Sequence, residues 1–231
     1  IRLSLVGSEM CIRDRYLPGL PAMTAYFGTT ASMVQLGITT AMLGLAFGQI
    51  IVGPLSDKYG RRKPLLLSLG VFFFSTIGCI FSWNVEVFIF FRFLQGMAGA
   101  GGIVISRSVA TDCYSGKELA KAFAMISAVN GLAPIIAPIV GGVLLKFTNW
   151  QGIFFALLVL GILLLLLCGR LKESLPREKR ITISAFSSFQ TFLPLLVKRK
   201  FMSYVWVQAL ILGVIFAYIS SSPFILQQHY E

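Results

Sequence analysis

Arg92 stands about five residues inside a long apolar run, and Gln95 follows one helical turn later over the same face. A cation at that depth in hydrocarbon is costly, so it must face the bundle interior or water. There it can answer a charge that comes and goes with a proton or a substrate. The bland alternative is a structural arginine that snorkels outward toward Glu86. A second charged group is compressed into Gly53-Pro-Leu-Ser-Asp57-Lys58-Tyr-Gly60-Arg61-Arg62-Lys63, between two apolar segments. Glycines permit a sharp turn there, and Asp57 sits where a helix end meets cations. Pairing of Asp57 with Arg107 or Arg61 would latch that side of the molecule, whereas the bland alternative is a hairpin that only fixes topology. A third candidate is Asn130-Gly131-Leu-Ala-Pro134-Ile-Ile-Ala-Pro138-Ile-Val-Gly141-Gly142. Two prolines four apart remove backbone donors and kink a helix, and glycines open a groove for a neighbour. Such a seam suits a structure that rocks between two states; a tightly packed, static helix is the alternative.

The elements that must position these groups are membrane helices. Hydrophobic residues make up 56% of the 231 positions and charged residues 13%, with a mean hydropathy of +0.82. That composition excludes a soluble domain. The net charge of +11 would suit nucleic acid, but the basic residues fall in loops between apolar spans. They read as topology determinants and contacts to anionic membrane lipid, with no nucleic-acid partner. Cys11, Cys79, Cys113 and Cys168 have neither disulfide nor metal-ligand spacing, so no metal and no cofactor is expected. The single histidine, His229, has no Ser or His partner at catalytic spacing, which argues against an integral-membrane enzyme.

Six apolar spans follow in order: Val34 to Pro54, Pro64 to Trp83, Val87 to Val109, Ala122 to Leu145, Trp150 to Gly169 and Met202 to Leu226. Backbone polar groups in lipid must be satisfied within a segment, so these are helices, numbered 2 to 7. Tyr16-Leu-Pro-Gly-Leu-Pro reads as the outer end of a truncated helix 1. Residues 1–15 are polar and resemble translated adapter read-through, a non-native tail. The 2–3, 4–5 and 6–7 connections carry nearly all the basic residues and are assigned to the cytoplasm, and Trp83 and Trp150 fall on the opposite side as interfacial anchors. The 6–7 connection is long and holds eight Lys/Arg residues between Arg170 and Lys200. Within it Ala185, Phe186, Phe189, Phe192, Leu193 and Leu196 recur at helical spacing, which predicts an amphipathic interfacial helix. The expected organisation is a tail at 1–15, a bundle of helices 1–6 at 16–170, a linker at 171–201, and helix 7 at 202–231 opening a second bundle.

The order Gly-x-Leu-x-Asp-Lys-x-Gly-Arg-Arg-Lys resembles the loop-2/3 signature of the major facilitator superfamily. Arg-x-x-Gln-Gly from Arg92 resembles its helix-4 motif, in which the arginine is linked to proton coupling. The Asn130 to Gly142 segment is similar to the helix-5 motif of its exporters, departing at Ala133 and Ala137, where glycine is usual. With Tyr-Leu-Pro-x-Leu-Pro near the start and Ser222-Pro223-Phe224-Ile-Leu-Gln-Gln near the end, the chain looks like the Bcr/CflA drug-resistance branch from Tyr16 onward. That resemblance implies an all-α membrane fold: a six-helix bundle with helix 1 truncated, plus the first helix of a second half. It implies a bacterial inner-membrane, multi-pass exchanger of drugs or other small molecules for protons, whose partners are substrate, protons and lipid. It also implies a C-terminal half absent from this sequence. The family has an acid two positions before Tyr-Leu-Pro, and Asp14 occupies that position here, inside the tail. A proton-coupled metabolite importer of the same fold is the alternative function.

Overall fold

The computed structural model describes residues 19–171, 173–176, 178, 180 and 197–229, with the backbone alone described at some helical positions, among them Pro134 and Pro138. The chain divides into two compact units, residues 1–182 and 183–231. The first unit contains α1 (Leu20–Phe27), α2 (Ala31–Tyr59), α3 (Arg62–Ile80), α4 (Val85–Cys113), α5 (Gly116–Phe147) and α6 (Trp150–Gly169). In the second, the described residues form one helix, α7 (Arg199–His229). All seven occur in the expected order, and α6 has the expected bounds.

Helix ends follow local chemistry more closely than hydropathy does. Pro54 lies inside α2, which continues through Asp57 and Lys58 to Tyr59. It stops at Gly60, whose φ of +89° is open to glycine but strained for other residues. The Asn84 side-chain Oδ1 accepts from the Glu86 N–H at 3.4 Å and caps the start of α4, which runs four residues past Val109 to Cys113. Helix α5 passes through positions 134 and 138 in a single range. Among the described residues, α2, α3, α4 and α6 are long and apolar enough to cross a membrane. The residues of the anticipated interfacial helix, 185–196, lie outside those described.

The core of the first unit is built on α4. Its main partner is α2, and α3 packs against both α4 and α6. A Cβ on Gly96 would collide with the Ala41 carbonyl, and one on Gly44 with the backbone of Phe93 and Met97. The two helices therefore touch backbone to backbone. Toward the charged end, Val52, Leu65, Leu69, Ile105, Leu164 and Cys168 form one apolar cluster from four helices. At the opposite end, Trp150 stacks edge-on against Tyr26 (5.2 Å) and Phe154 (6.0 Å), with Phe27 at 5.6 Å. Trp150 is 4% exposed, so it is a core residue and not an interfacial anchor; Trp83, at 80% exposed, has the position expected of one. The difference is aromatic company. Phe27 from α1 and Phe88 from α4 converge on Trp150, whereas Trp83 sits in the short turn before α4.

Candidate functional site

Two polar centres stand out in the first unit. The first lies at the charged end, around Arg61. Its Nη1 donates to Asp57 Oδ1 at 2.5 Å and to the Ser56 hydroxyl at 2.8 Å. Its Nε donates to Asp112 Oδ2 at 2.9 Å, and Nη2 reaches Asp112 Oδ1 at 3.5 Å. The planar fork thus grips one carboxylate from α4 while its other edge holds α2. Burial works against the Arg61 charge, but Asp112 and then Asp57 more than offset it and hold the guanidinium pKa above its ordinary value. The Asp57 partner is thus Arg61, and exposed Arg107 stands outside the network. Asp112, five residues beyond Arg107, supplies the second carboxylate. Sequence reading missed it because the expected end of helix 4 left it in a loop. Its signal was an acid at an otherwise basic end.

The linker closes this centre from another side. Glu173 accepts from the Arg61 backbone N–H at 2.7 Å, the Arg62 N–H at 3.3 Å and the Leu175 N–H at 3.3 Å. It is the carboxylate that the open first turn of α3 calls for. Burial pushes its pKa up, but these three N–H groups and the Arg180 charge win, holding it below the ordinary glutamate value. Arg180 reaches Glu173 at 3.7 Å, Ser174 donates to Asp112 at 3.4 Å, and Arg62 donates to the Gly169 carbonyl at 2.7 Å. Of the other motif positions, Lys58 lies over the Tyr59 ring at 5.5 Å, Gly60 makes the turn, and the Gly53 carbonyl accepts from Ser56 at 2.8 Å.

The second centre lies within the bundle. Arg92 is 1% exposed and its Nη1 donates to Gln95 Oε1 at 2.5 Å. Gln95, equally buried, donates in turn to the Thr76 hydroxyl of α3 at 2.8 Å, and Thr76 donates to the Phe72 carbonyl at 2.7 Å. The Arg92 guanidinium also lies 6.0 Å over the Phe154 ring of α6. It is turned into the bundle, so the outward-snorkelling alternative beside exposed Glu86 does not hold. Asp14 lies outside the described residues.

The α5 motif is less convergent. Asn130 Oδ1 is buried with no hydrogen-bond partner among the described residues, and Gly141 is buried. A Cβ at Gly131 or Gly142 would meet open space. The backbone of Pro134 and Pro138 is helical. Among the described residues, no group of three His, Cys, Asp or Glu side chains could hold a metal ion.

A family model described as Major Facilitator Superfamily matches residues 5–231. The chain belongs to that superfamily. A Bacillus subtilis (strain 168) protein described as an uncharacterized MFS-type transporter, YdgK, is 43% identical over 220 residues, covering 94% of this chain and 55% of that protein. The bicyclomycin resistance protein homolog of Haemophilus influenzae is 30% identical over 213 residues, covering 92% and 54%. Among solved structures, the inward-facing, unoccupied bacterial homolog of the human lysosomal transporter Spinster superposes with a TM-score of 0.74 at 19% identity, over 99% of this chain and 55% of that one. Among the described residues the architecture is all-helical and matches part of the superfamily fold, and the chain spans about half the length of the curated relatives it matches. Its family and relatives are membrane transporters, not enzymes, and they include a drug-resistance member, in line with the branch its motifs resemble.

Proposed function

We propose that this major facilitator chain is the first half, with the opening helix of the second, of a bacterial inner-membrane transporter that expels drugs or other small molecules in exchange for protons. The observation that carries the reading is Arg92, a cation buried in the span region and held by Gln95 and the Phe154 face. A charge maintained there at such solvation cost suits a role in which proton and substrate compete for one electrostatic network. The carboxylate of that network is assigned to helix 1, at the position Asp14 occupies. A bicyclomycin resistance protein homolog among the relatives supports efflux as the direction.

In this reading the Arg61 centre is the cytoplasmic gate. Asp57, Ser56, Asp112 and Glu173 bring α2, α4, the start of α3 and the linker together. Opening to the cytoplasm breaks contacts of this group, and reforming them closes it. The α5 seam of Asn130, Gly131, Pro134, Pro138, Gly141 and Gly142 is the surface on which the halves rock. Missing C-terminal residues complete the cavity. The test is directional transport by the full-length protein. Proton-gradient-driven accumulation of drug in inverted vesicles, with lowered drug content in cells, is the expected result. Proton-driven uptake of a metabolite into cells would replace efflux with import.

A further inference from the structure

The charged end carries a cavity beside the gate, which shares Glu173 with it. It has a volume of about 650 Å³ and is lined by Tyr59 of α2, by Arg62, Lys63 and Leu66 of α3, and by Glu173, Leu175, Pro176 and Arg180 of the linker. Three cations face one acid. Both oxygens of that acid are already engaged: Oε1 by the N–H groups of Arg61 and Leu175, Oε2 by that of Arg62. Arg62 commits Nη2 to the Gly169 carbonyl, while Lys63 is exposed. The Arg180 Nε is buried with no hydrogen-bond partner among the described residues, an unmet donor on a cavity-lining side chain. A buried donor in that condition is destabilising until something accepts from it.

We propose that this cavity binds a phosphate oxyanion carried on a partly apolar body, the chemistry of an anionic phospholipid headgroup. The oxyanion sits among Lys63, Arg62 and Arg180, and on binding the Arg180 guanidinium turns to present its buried Nε to it. Glycerol and the first methylenes lie against Leu66, Leu175 and Pro176. The site's depth in the bilayer fits this ligand: α3 is long and apolar enough to cross a membrane, and Arg62 and Lys63 are its first two residues. They therefore stand at headgroup level, where basic pockets between helices recruit anionic lipid. Bound there, the ligand ties the linker to α3 beside the Arg61 centre. Free phosphate shares the oxyanion chemistry but leaves the apolar wall bare.

The test follows thermal unfolding of the 231-residue chain in neutral detergent by tryptophan fluorescence. Short-chain phosphatidylglycerol, short-chain phosphatidylcholine or inorganic phosphate is added. Phosphatidylglycerol at saturation is expected to raise the midpoint by roughly 4 °C or more, with phosphatidylcholine and inorganic phosphate giving little. The R62Q/K63Q/R180Q variant loses that rise. Lys63→Gln alone, a surface change that spares the hydrogen bonds of Arg62 and Arg180, loses part of it, and Lys117→Gln with Lys121→Gln on α5 keeps it. A full rise with inorganic phosphate upholds the oxyanion site and assigns it to a soluble phosphate. An equal rise with phosphatidylcholine, no rise with any addition, or a full rise retained by both Lys63→Gln and the triple variant overturns the proposal.

Discussion

Arg61 and Arg92 are the two buried arginines among the described residues, and the contacts described for them differ in kind. At the charged end, Arg61 meets the carboxylates of Asp57 and Asp112 and is joined through its own backbone to Glu173. Inside the bundle, Arg92 bonds the neutral amide of Gln95 and lies over the ring of Phe154. A cation clamped by acids from separate elements is a fastener, because its energy depends on those elements staying together. Dipolar contacts do something else: they orient a guanidinium without contributing a counter-charge of their own. The first centre is built to hold a conformation. The second is built to keep a charge in a fixed place, which is what our proposed exchange of proton for substrate requires of it.

The backbone contact beside Arg92 gives the largest expected effect. Gly96→Ala drives a methyl into the Ala41 carbonyl, so α2 and α4 must separate. A loss of about 3 kcal/mol or more follows, enough to remove most folded protein from membranes. Gly53→Ala, at the charged end, adds a methyl where nothing lies within 4 Å and is expected to leave expression and thermal midpoint unchanged. Similar yields of the two variants in a membrane fraction would show that the close packing is wrong.

The fastener itself comes next. Replacing Asp112 by Asn removes the acid with the more buried side chain, 16% exposed against 39% for Asp57, although the Asp112 backbone is open. It should cost roughly 1.5–3 kcal/mol in the thermal midpoint measured in detergent. Asp57→Asn should cost less, and Asp57→Glu less again. A larger loss for Asp57→Asn than for Asp112→Asn would reverse the ranking of the two acids.

Much of this molecule could be read from its residues, and the misreadings share one cause. Apolar runs locate helices because hydrocarbon tolerates little else, and α6 even has its expected bounds. Ends were harder. Pro54 looked like a terminus, yet α2 passes through it and Gly60 ends it, since φ and not hydropathy decides where a chain turns. That shift changed the chemistry too, because it placed Ser56 and Asp57 on helical turns facing Arg61. Asp112 and Glu173 acquire their roles only when α4 and the linker are folded onto α3: an acid at a basic end hints at Asp112, and no local pattern marks Glu173. Trp150 shows the same limit. Its position in the sequence matched that of an interfacial tryptophan, and tertiary contacts with Phe27, Phe88 and Phe154 buried it.

The smallest effect is pH dependence at the charged end. The Glu173 pKa is lowered on folding from an ordinary 4.5. Its contribution is therefore fully present above that value and is lost as pH falls through the lower, folded one. Glu173→Gln should lower the thermal midpoint slightly at pH 7, and the gap from the parent should close on acidification below about pH 4. A gap that widens on acidification would give the shift the opposite sign.

The central claim is that the charge of Arg92 couples protons to substrate. It is tested most directly by drug efflux in vesicles containing the full-length protein and energised by a pH gradient. Folded, inserted Arg92→Ala should show no proton-driven efflux, and Arg92→Lys should retain part of it, since charge at this position matters beyond guanidinium shape. Parental rates with parental pH dependence in Arg92→Ala would contradict the account and leave Arg92 a structural residue.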